Sequence, residues 1–366
     1  MSMTGALEKE IRRRIAVAGP MPVDQYMALC LAHPQYGYYI TRDPIGARGD
    51  FITAPEISQM FGELIGLWMT AVWKQIGSPD NIRIIELGPG RGTLMKDAMR
   101  AAYVVPGFRQ AATVHLVEIS PVLTAQQKRT LELLSMPTSW HASLNDVPEG
   151  PALIVANEFF DALPICQAVK TATGWSERRV GIDANGNFTF TLGDDPIPHF
   201  AQLLPPDVRA APPDSIFEWR ADAPAFCLGK RVARGGGAAL VIDYGHLASA
   251  VGETLQAVGH HAYANPLSGP GTVDLTAHVD FQALLRAAEA MGAQGHGPID
   301  QGQFLRRLGI ETRASMLKSK ASQAISADID SALTRLIGHG HAGMGTLFKV
   351  AALTHPAVGV PPAFDA

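Results

Sequence analysis

Ile82-Arg83-Ile84-Ile85-Glu86-Leu87-Gly88-Pro89-Gly90-Arg91-Gly92-Thr93-Leu94-Met95 is the stretch on which the reading of this chain turns. An apolar, β-type run ends at Glu86, glycines follow at alternate positions (Gly88, Gly90, Gly92), and a helical pattern opens with Leu94 and Met95. A strand, a glycine turn and a helix start bring bare backbone close to a ligand. The acid just ahead of the turn narrows the choice, because a carboxylate there suits an ammonium group better than a phosphate. A dinucleotide fingerprint needs G-x-G-x-x-G or a final Ala, with an acid about 20 residues further on. Counting from Gly88, the sixth position is Thr93, so the third glycine falls one place early. The next strand-like run, Val114 to Val117, ends in Glu118, about 30 residues downstream. That acid has the right form to accept two ribose hydroxyls, whereas the glycine spacing is wrong for a pyrophosphate.

Glu86, the turn and Glu118 together resemble the first two motifs of class I S-adenosylmethionine (SAM)-dependent methyltransferases. The resemblance implies that Glu86 and the turn (Gly88, Pro89, Gly90, Gly92) hold the methionyl part of SAM, with Glu118 on the ribose and Ile119 beside it. Packing alone is the alternative reading of a Gly-rich turn between a strand and a helix.

Around this stretch the chain alternates in α/β fashion. Strand-like runs lie at 82–86, 114–118, 151–156 and 238–243, with helical patterns over 93–103 and 121–134 and a last strand at 346–352. A doubly wound sheet presents ligands at the carboxyl ends of its strands, where Glu86, Glu118, Asn157, Glu158 and Asp243 fall. Residues 1–80 read as a helical extension, with apolar periodicity at Leu7, Ile11, Ile15 and Val17, then Val23, Tyr26, Met27 and Leu31, then 57–76. Residues 166–230 read as an α/β insertion with antiparallel strands, marked by the hairpin signal Asn185-Gly186 and a proline-rich tail. The core is then expected over 81–165 and 231–366.

The 366 residues suffice for a large core, and 47% apolar against 17% charged content is that of a globular chain. A net charge of −4 argues against a broad nucleic-acid surface. The three cysteines, Cys30, Cys166 and Cys227, are scattered and form no C-x-x-C pair, so neither a disulfide framework nor a zinc site is expected. His260-His261 and the Gly338-His339-Gly340-His341 run lack a metal-ligand pattern, and no metal is expected. No run of 18 apolar residues suggests a membrane span. The start of the chain carries Glu8, Glu10 and Arg12 to Arg14 rather than a signal or transit pattern, and a cytoplasmic protein is expected.

Asn157-Glu158-Phe159-Phe160-Asp161-Ala162-Leu163-Pro164 is the second key stretch. Carboxylates three apart on one turn or helix start face the same way and can take the planar fork of a guanidinium. Such a pair can localise the cation's charge and accept the proton it releases, while Asn157 can position a ligand through its amide. The bland alternative is a helix-start acid pair. Gly49 to Glu63 is polar-rich ahead of a long apolar helix: Thr53 or Ser58 can cap it, and Asp50, Glu56, Gln59 and Glu63 are candidates for a pocket rim. His33 to Tyr39, with Tyr38, is a candidate lid. His278 and Asp243 are weaker pocket candidates, His278 being as readily a structural histidine.

His33 to Tyr39, Gly49 to Glu63, Glu86 to Gly92, Glu118 to Pro121, Asn157 to Pro164, Asp243 to Gly245 and Asp274 to Phe281 together resemble the MidA-like methyltransferases over nearly the full length. The resemblance implies a class I methyltransferase (Rossmann-like) fold and SAM as cofactor. From mitochondrial relatives credited with complex I assembly it also implies methylation of a protein arginine, on a quinone-module subunit of complex I. Glu158 and Asp161 would then serve the substrate. Two other classes stay open on the residues: a SAM-binding assembly chaperone without chemistry, and a nicotinamide oxidoreductase, against which Thr93 speaks.

Overall fold

The computed structural model describes residues 4–46, 52–134, 136–259, 262–340 and 343–365. Asp50, His260, His261 and His341 lie outside the described residues. The chain forms two compact units: Ile52–Phe160, Asp222–Leu247 and Phe281–Ala366 make one, and Met1–Phe51, Asp161–Ala221 and Ala248–Asp280 the other.

The first unit is built on strands β1 (Ile82–Leu87), β2 (Ala112–Val117), β3 (Thr138–His141), β4 (Ala152–Asn157), β5 (Gly237–His246), β6 (Gln294–Asp300) and β7 (Phe348–Thr354). They lie in the order β6-β7-β5-β4-β1-β2-β3. Strands β1 to β5 run parallel, and β7 is antiparallel to both of its neighbours. The chain moves outward from β1 to β3 and then crosses back to β4 on the other side of β1. The switch point of the sheet, where α/β folds bind ligands, is therefore the gap at the carboxyl ends of β1 and β4. All six residues of β4 are buried, as are five of the six in β1, which is the pattern of strands covered on both faces.

Register decides which side chains share a face. Glu86 pairs with Leu116 on one side and Val155 on the other. Asn157 lies two residues beyond Val155, so Glu86 and Asn157 project from the same face at its ligand-binding end. Further back, that face carries Ile82, Ile84, Leu153, Val155, Leu240 and Ile242, all in the main core.

Helix Gln59–Gln75 covers this core with Met60, Phe61, Leu64, Ile65 and Trp68. Its start is capped as its composition suggests: Ser58 Oγ accepts from the Met60 amide at 3.2 Å. The close approach of helix Thr93–Ala102 requires Gly66, where a Cβ would sit 2.1 Å from the Ala98 carbonyl oxygen. Glu63 is not on a rim. It is buried, and its carboxylate accepts from Arg313 at 2.8 and 2.9 Å and pairs with Arg100 at 3.0 Å. It thereby ties Gln59–Gln75 to helices Ile310–Lys318 and Thr93–Ala102.

The second unit joins helices Thr4–Ala18 and Val23–Ala32 to an antiparallel sheet. Its strands run Met21–Pro22, Gly174–Ile182, Ile165–Thr171, Ile216–Arg220, with Phe188–Pro196 paired to Gly174–Ile182. Leu7, Ile11, Met27, Cys30, Leu31, Ile165 and Val180 fill its core. Val17 stands out at the end of its helix, 80% exposed, so the apolar face stops at Ile15. The hairpin forms at Asn185-Gly186, with Gly186 at φ 82° and Asp183 Oδ1 accepting from the amides of Asn185 and Asn187. A small sheet of Ala262–Ala264, Gln256–Gly259 and Asp274–Thr276 completes the unit. The segment from Asp274 therefore begins as a strand, and the helix that follows starts at Phe281.

Candidate functional site

The glycine turn follows β1 directly. Gly88 adopts φ 62°, Gly90 φ 52° and Gly92 φ 79°, a left-handed path that L side chains rarely take. Gly88 is further constrained by the Phe159 ring, whose Cδ2 would lie 3.0 Å from an added Cβ. The Gly88 amide donates to the Val117 carbonyl at 3.1 Å, holding the turn against the end of β2.

Glu86 is buried, and its Oε2 has no hydrogen-bond partner among the described residues. Asn157, on the same face, likewise leaves Oδ1 buried and unpartnered while its Nδ2 donates to Glu158 at 3.2 Å. A buried polar atom left unpaired costs about 1–3 kcal/mol, so two such acceptors at one strand-end gap mark a place for a donor-rich, cationic ligand. Burial, and then the nearby Glu118 carboxylate, hold the Glu86 carboxyl well above the usual carboxylate range. An ammonium ligand would reverse that shift by stabilising the ionised form.

Glu118, at the end of β2, takes one bond on each oxygen: Oε1 from the Ser120 amide at 2.7 Å and Oε2 from Gln127 Nε2 at 3.0 Å. Burial raises its carboxyl, and the Ser120, Gln127 and Ile119 donors pull it back towards the ionised form. Each oxygen keeps a lone pair for a further donor. Ile119 is 55% exposed beside it, an apolar side chain available to a flat ring.

Glu158 does not begin a helix. It sits just past β4 at φ 49°, an uncommon conformation for a residue with a side chain. Its Oε1 accepts from the Ala54 amide at 3.2 Å. Asp243, fully buried, fixes the same turn: Oδ2 accepts from the Phe160 amide and Oδ1 from that of Tyr244, each at 3.0 Å. Its carboxylate is thus bound to backbone, as a structural brace beside the site. Thr53 starts the short helix Ala54–Ile57 without a side-chain cap bond, and Glu56 accepts from Thr93 Oγ1 at 2.5 Å. Glu158 and Glu56 together latch residues 54–57 to the strand end and to the helix that follows the glycine turn.

The remaining candidates belong to the other unit. Asp161 is buried, and its carbonyl accepts from Arg220 and from the Ala277 amide at 3.1 Å. His278 is tied down through its backbone, the amide to Thr254 Oγ1 at 2.9 Å and the carbonyl to Arg220 at 2.7 Å. Tyr38 is buried with the Arg42 guanidinium 5.2 Å from its ring centre. Tyr39, next to it, donates to Asp274 Oδ1 at 2.9 Å, and burial together with the Asp274 and Asp161 carboxylates pushes its phenol well up. Sequence reasoning missed Phe159 as the wall of the glycine turn and Gln127 as the partner of Glu118. No spacing signal marks either one.

Residues 64–299 match the family described as S-adenosyl-L-methionine-dependent methyltransferases, more than half of the chain. This chain belongs to that family. It is 36% identical to the mitochondrial protein arginine methyltransferase NDUFAF7 homolog of Drosophila melanogaster, over 95% of this chain and 85% of that protein. It is 37% identical to the human mitochondrial protein arginine methyltransferase NDUFAF7, over 86% of this chain and 76% of that one. Among solved structures it is similar to a superfamily member from Burkholderia thailandensis bound to S-adenosyl-homocysteine, with a TM-score of 0.88 and 30% identity, covering 99% of this chain and 95% of that one. The chain is a SAM-dependent methyltransferase of the Rossmann-like class, and SAM is its cofactor. The residues fit that cofactor, since an ammonium answers the orphaned acceptors and a ribose answers Glu118. The expectation of a cytoplasmic protein is overturned by these relatives, which are mitochondrial proteins in both animals.

Proposed function

We propose that this enzyme methylates an arginine side chain of a protein, and that the target is a quinone-module subunit of complex I. The relatives' shared name supports the arginine, and the resemblance to the complex I assembly methyltransferases supports the subunit. The observation that carries the chemistry is Glu158, set at φ 49° immediately before the Phe159 ring that packs on Gly88. This puts a carboxylate at the end of β4, beside the turn assigned to the cofactor. Bound SAM supplies an activated methyl group on a cationic sulfur. The protein's part is to bring a nucleophile into line in a dry site. A guanidinium is a poor nucleophile because its charge is delocalised and its proton tightly held. Glu158 would accept hydrogen bonds from two of its nitrogens, draw the charge towards them and take up the proton released as the N–C bond forms. Asn157 would link the two ligands, its Nδ2 holding Glu158 at 3.2 Å and its unpartnered Oδ1 facing the cofactor's ammonium.

Glu158→Gln tests this reading. The amide keeps the size and can accept on one oxygen only, and it takes no proton. Label transfer from SAM to complex I subunits should fall by two orders of magnitude or more, within the range of lost acid–base catalysis. SAM affinity should stay within about threefold of wild type, because the cofactor is assigned to other residues. Undiminished transfer would remove Glu158 from the mechanism.

A further inference from the structure

We propose that Gln127 is the positioning residue of the cofactor site, locking the ribose acid Glu118 to the glycine turn, and that Trp140 fixes the orientation of its amide. Gln127 lies on helix Pro121–Leu131, is fully buried and belongs to no sequence motif. Its Nε2 donates to the Gly90 carbonyl at 2.8 Å and to Glu118 Oε2 at 3.0 Å. Its Oε1 accepts from the Trp140 indole N–H at 2.9 Å. An indole nitrogen can only donate, so Trp140 compels the amide oxygen to face β3. Both amide protons are then committed, one to the turn and one to the acid. Lys128, next along the helix, stands 5.3 Å from the centre of the Trp140 ring and holds that side chain from its face.

The consequence is geometric. Glu118 is gripped on both oxygens, by Ser120 at one and Gln127 at the other, which fixes the plane of the carboxylate before any ligand arrives. A carboxylate so held can meet two ribose hydroxyls without losing rotamer freedom on binding. Through Gly90 the same amide sets the distance between that carboxylate and the turn. Gln127 touches no part of the cofactor in this scheme and acts only through Glu118 and Gly90. The inference rests on the SAM assignment above and goes beyond it in naming what orients the ribose acid.

Calorimetric titration of the full chain with S-adenosylhomocysteine and with its 2′-deoxy analogue tests it. Gln127→Met keeps the volume and removes all three hydrogen bonds; Trp140→Phe keeps a ring and removes only the donor that orients the amide. Both should bind S-adenosylhomocysteine about tenfold more weakly, the worth of roughly one hydrogen bond. Both should also lose most of the wild-type preference for the natural ligand over the deoxy analogue. Gln127→Glu sets a second carboxylate against Glu118 while keeping an acceptor for Trp140, so its affinity should be poorest at pH 8 and recover as the pH falls and one proton is shared. A purely structural Gln127 would leave the preference for the ribose hydroxyl at its wild-type value in Gln127→Met and Trp140→Phe and give Gln127→Glu no such pH dependence. That result would overturn the proposal. A wild-type chain that binds neither ligand would overturn the cofactor assignment itself, and this proposal with it.

Discussion

Replacing Glu86 by Gln separates the two consequences of burying an unpartnered acid. Without ligand, the wild-type carboxyl is fully desolvated with one oxygen unpaired, and its pKa stands well above the ordinary 4.5. A raised folded-state pKa in an acid means that the folded protein prefers the proton. The penalty is absent below about pH 4.5, grows as pH rises through the unfolded value at 1.36 kcal/mol per unit, and levels off above the folded value. Glutamine has nearly the same shape and nothing to ionise. Glu86→Gln should therefore stabilise the ligand-free protein at pH 8, read as a higher Tm than wild type. The gap should close as the pH falls towards 5. Cofactor binding should move the other way, because an amide cannot supply the charge that an ammonium needs. Losing one charge-assisted hydrogen bond is worth about 1.5–3 kcal/mol, or a roughly 10- to 150-fold weaker affinity for SAM. Melting curves from pH 5 to 8.5 with and without S-adenosylhomocysteine, alongside calorimetry, read both effects. Wild-type binding should release a proton and tighten as the pH rises. A variant less stable than wild type at pH 8, or one that binds SAM equally well, would refute the assignment.

Glu118→Ala removes both ribose acceptors at once and should weaken SAM binding by about 2–4 kcal/mol, roughly 30- to 1000-fold by calorimetry, with a smaller loss for a ligand lacking one hydroxyl. Gly88→Ala places a Cβ 3.0 Å from Phe159 in a left-handed backbone and should cost about 1–2 kcal/mol of stability in chemical denaturation, along with a loss of SAM affinity as Phe159 is displaced.

The strands at the centre of the sheet were legible because they are central. β1, β4 and β5 are largely buried on both faces, and their Ile, Val, Leu and Ala runs, broken in β1 only by Arg83 and Glu86, leave a plain signature. The edges were not. β3 is a four-residue polar strand, Thr-Ser-Trp-His, and β6 carries Gly295, Gly297 and Pro298, so neither shows periodicity. Helices Ala223–Gly235 and Gln323–Ile337 have alanine-rich or polar faces whose role only packing reveals. The site divided in the same way. Glu86, the glycines and Glu118 stand at strand ends and could be read from local pattern. The Glu158–Asp161 spacing suggested a shared helical turn, but the Asp243 carboxylate on the Phe160 amide holds a turn of another kind, and Asp161 belongs to the other unit. Glu63 read as a rim acid, because nothing local reveals Arg313, 250 residues away. Helix Gln59–Gln75 packs on the parallel sheet while helices Thr4–Ala18 and Val23–Ala32 pack with the 165–220 strands, a partition set by long-range contacts and not by periodicity.

The most direct test is a crystal structure of this chain with S-adenosylhomocysteine. The α-ammonium nitrogen should lie about 3 Å from Glu86 Oε2, and the two ribose hydroxyls should donate to Glu118. A ligand seated away from the glycine turn, with Glu86 still buried and unpartnered, would contradict the account.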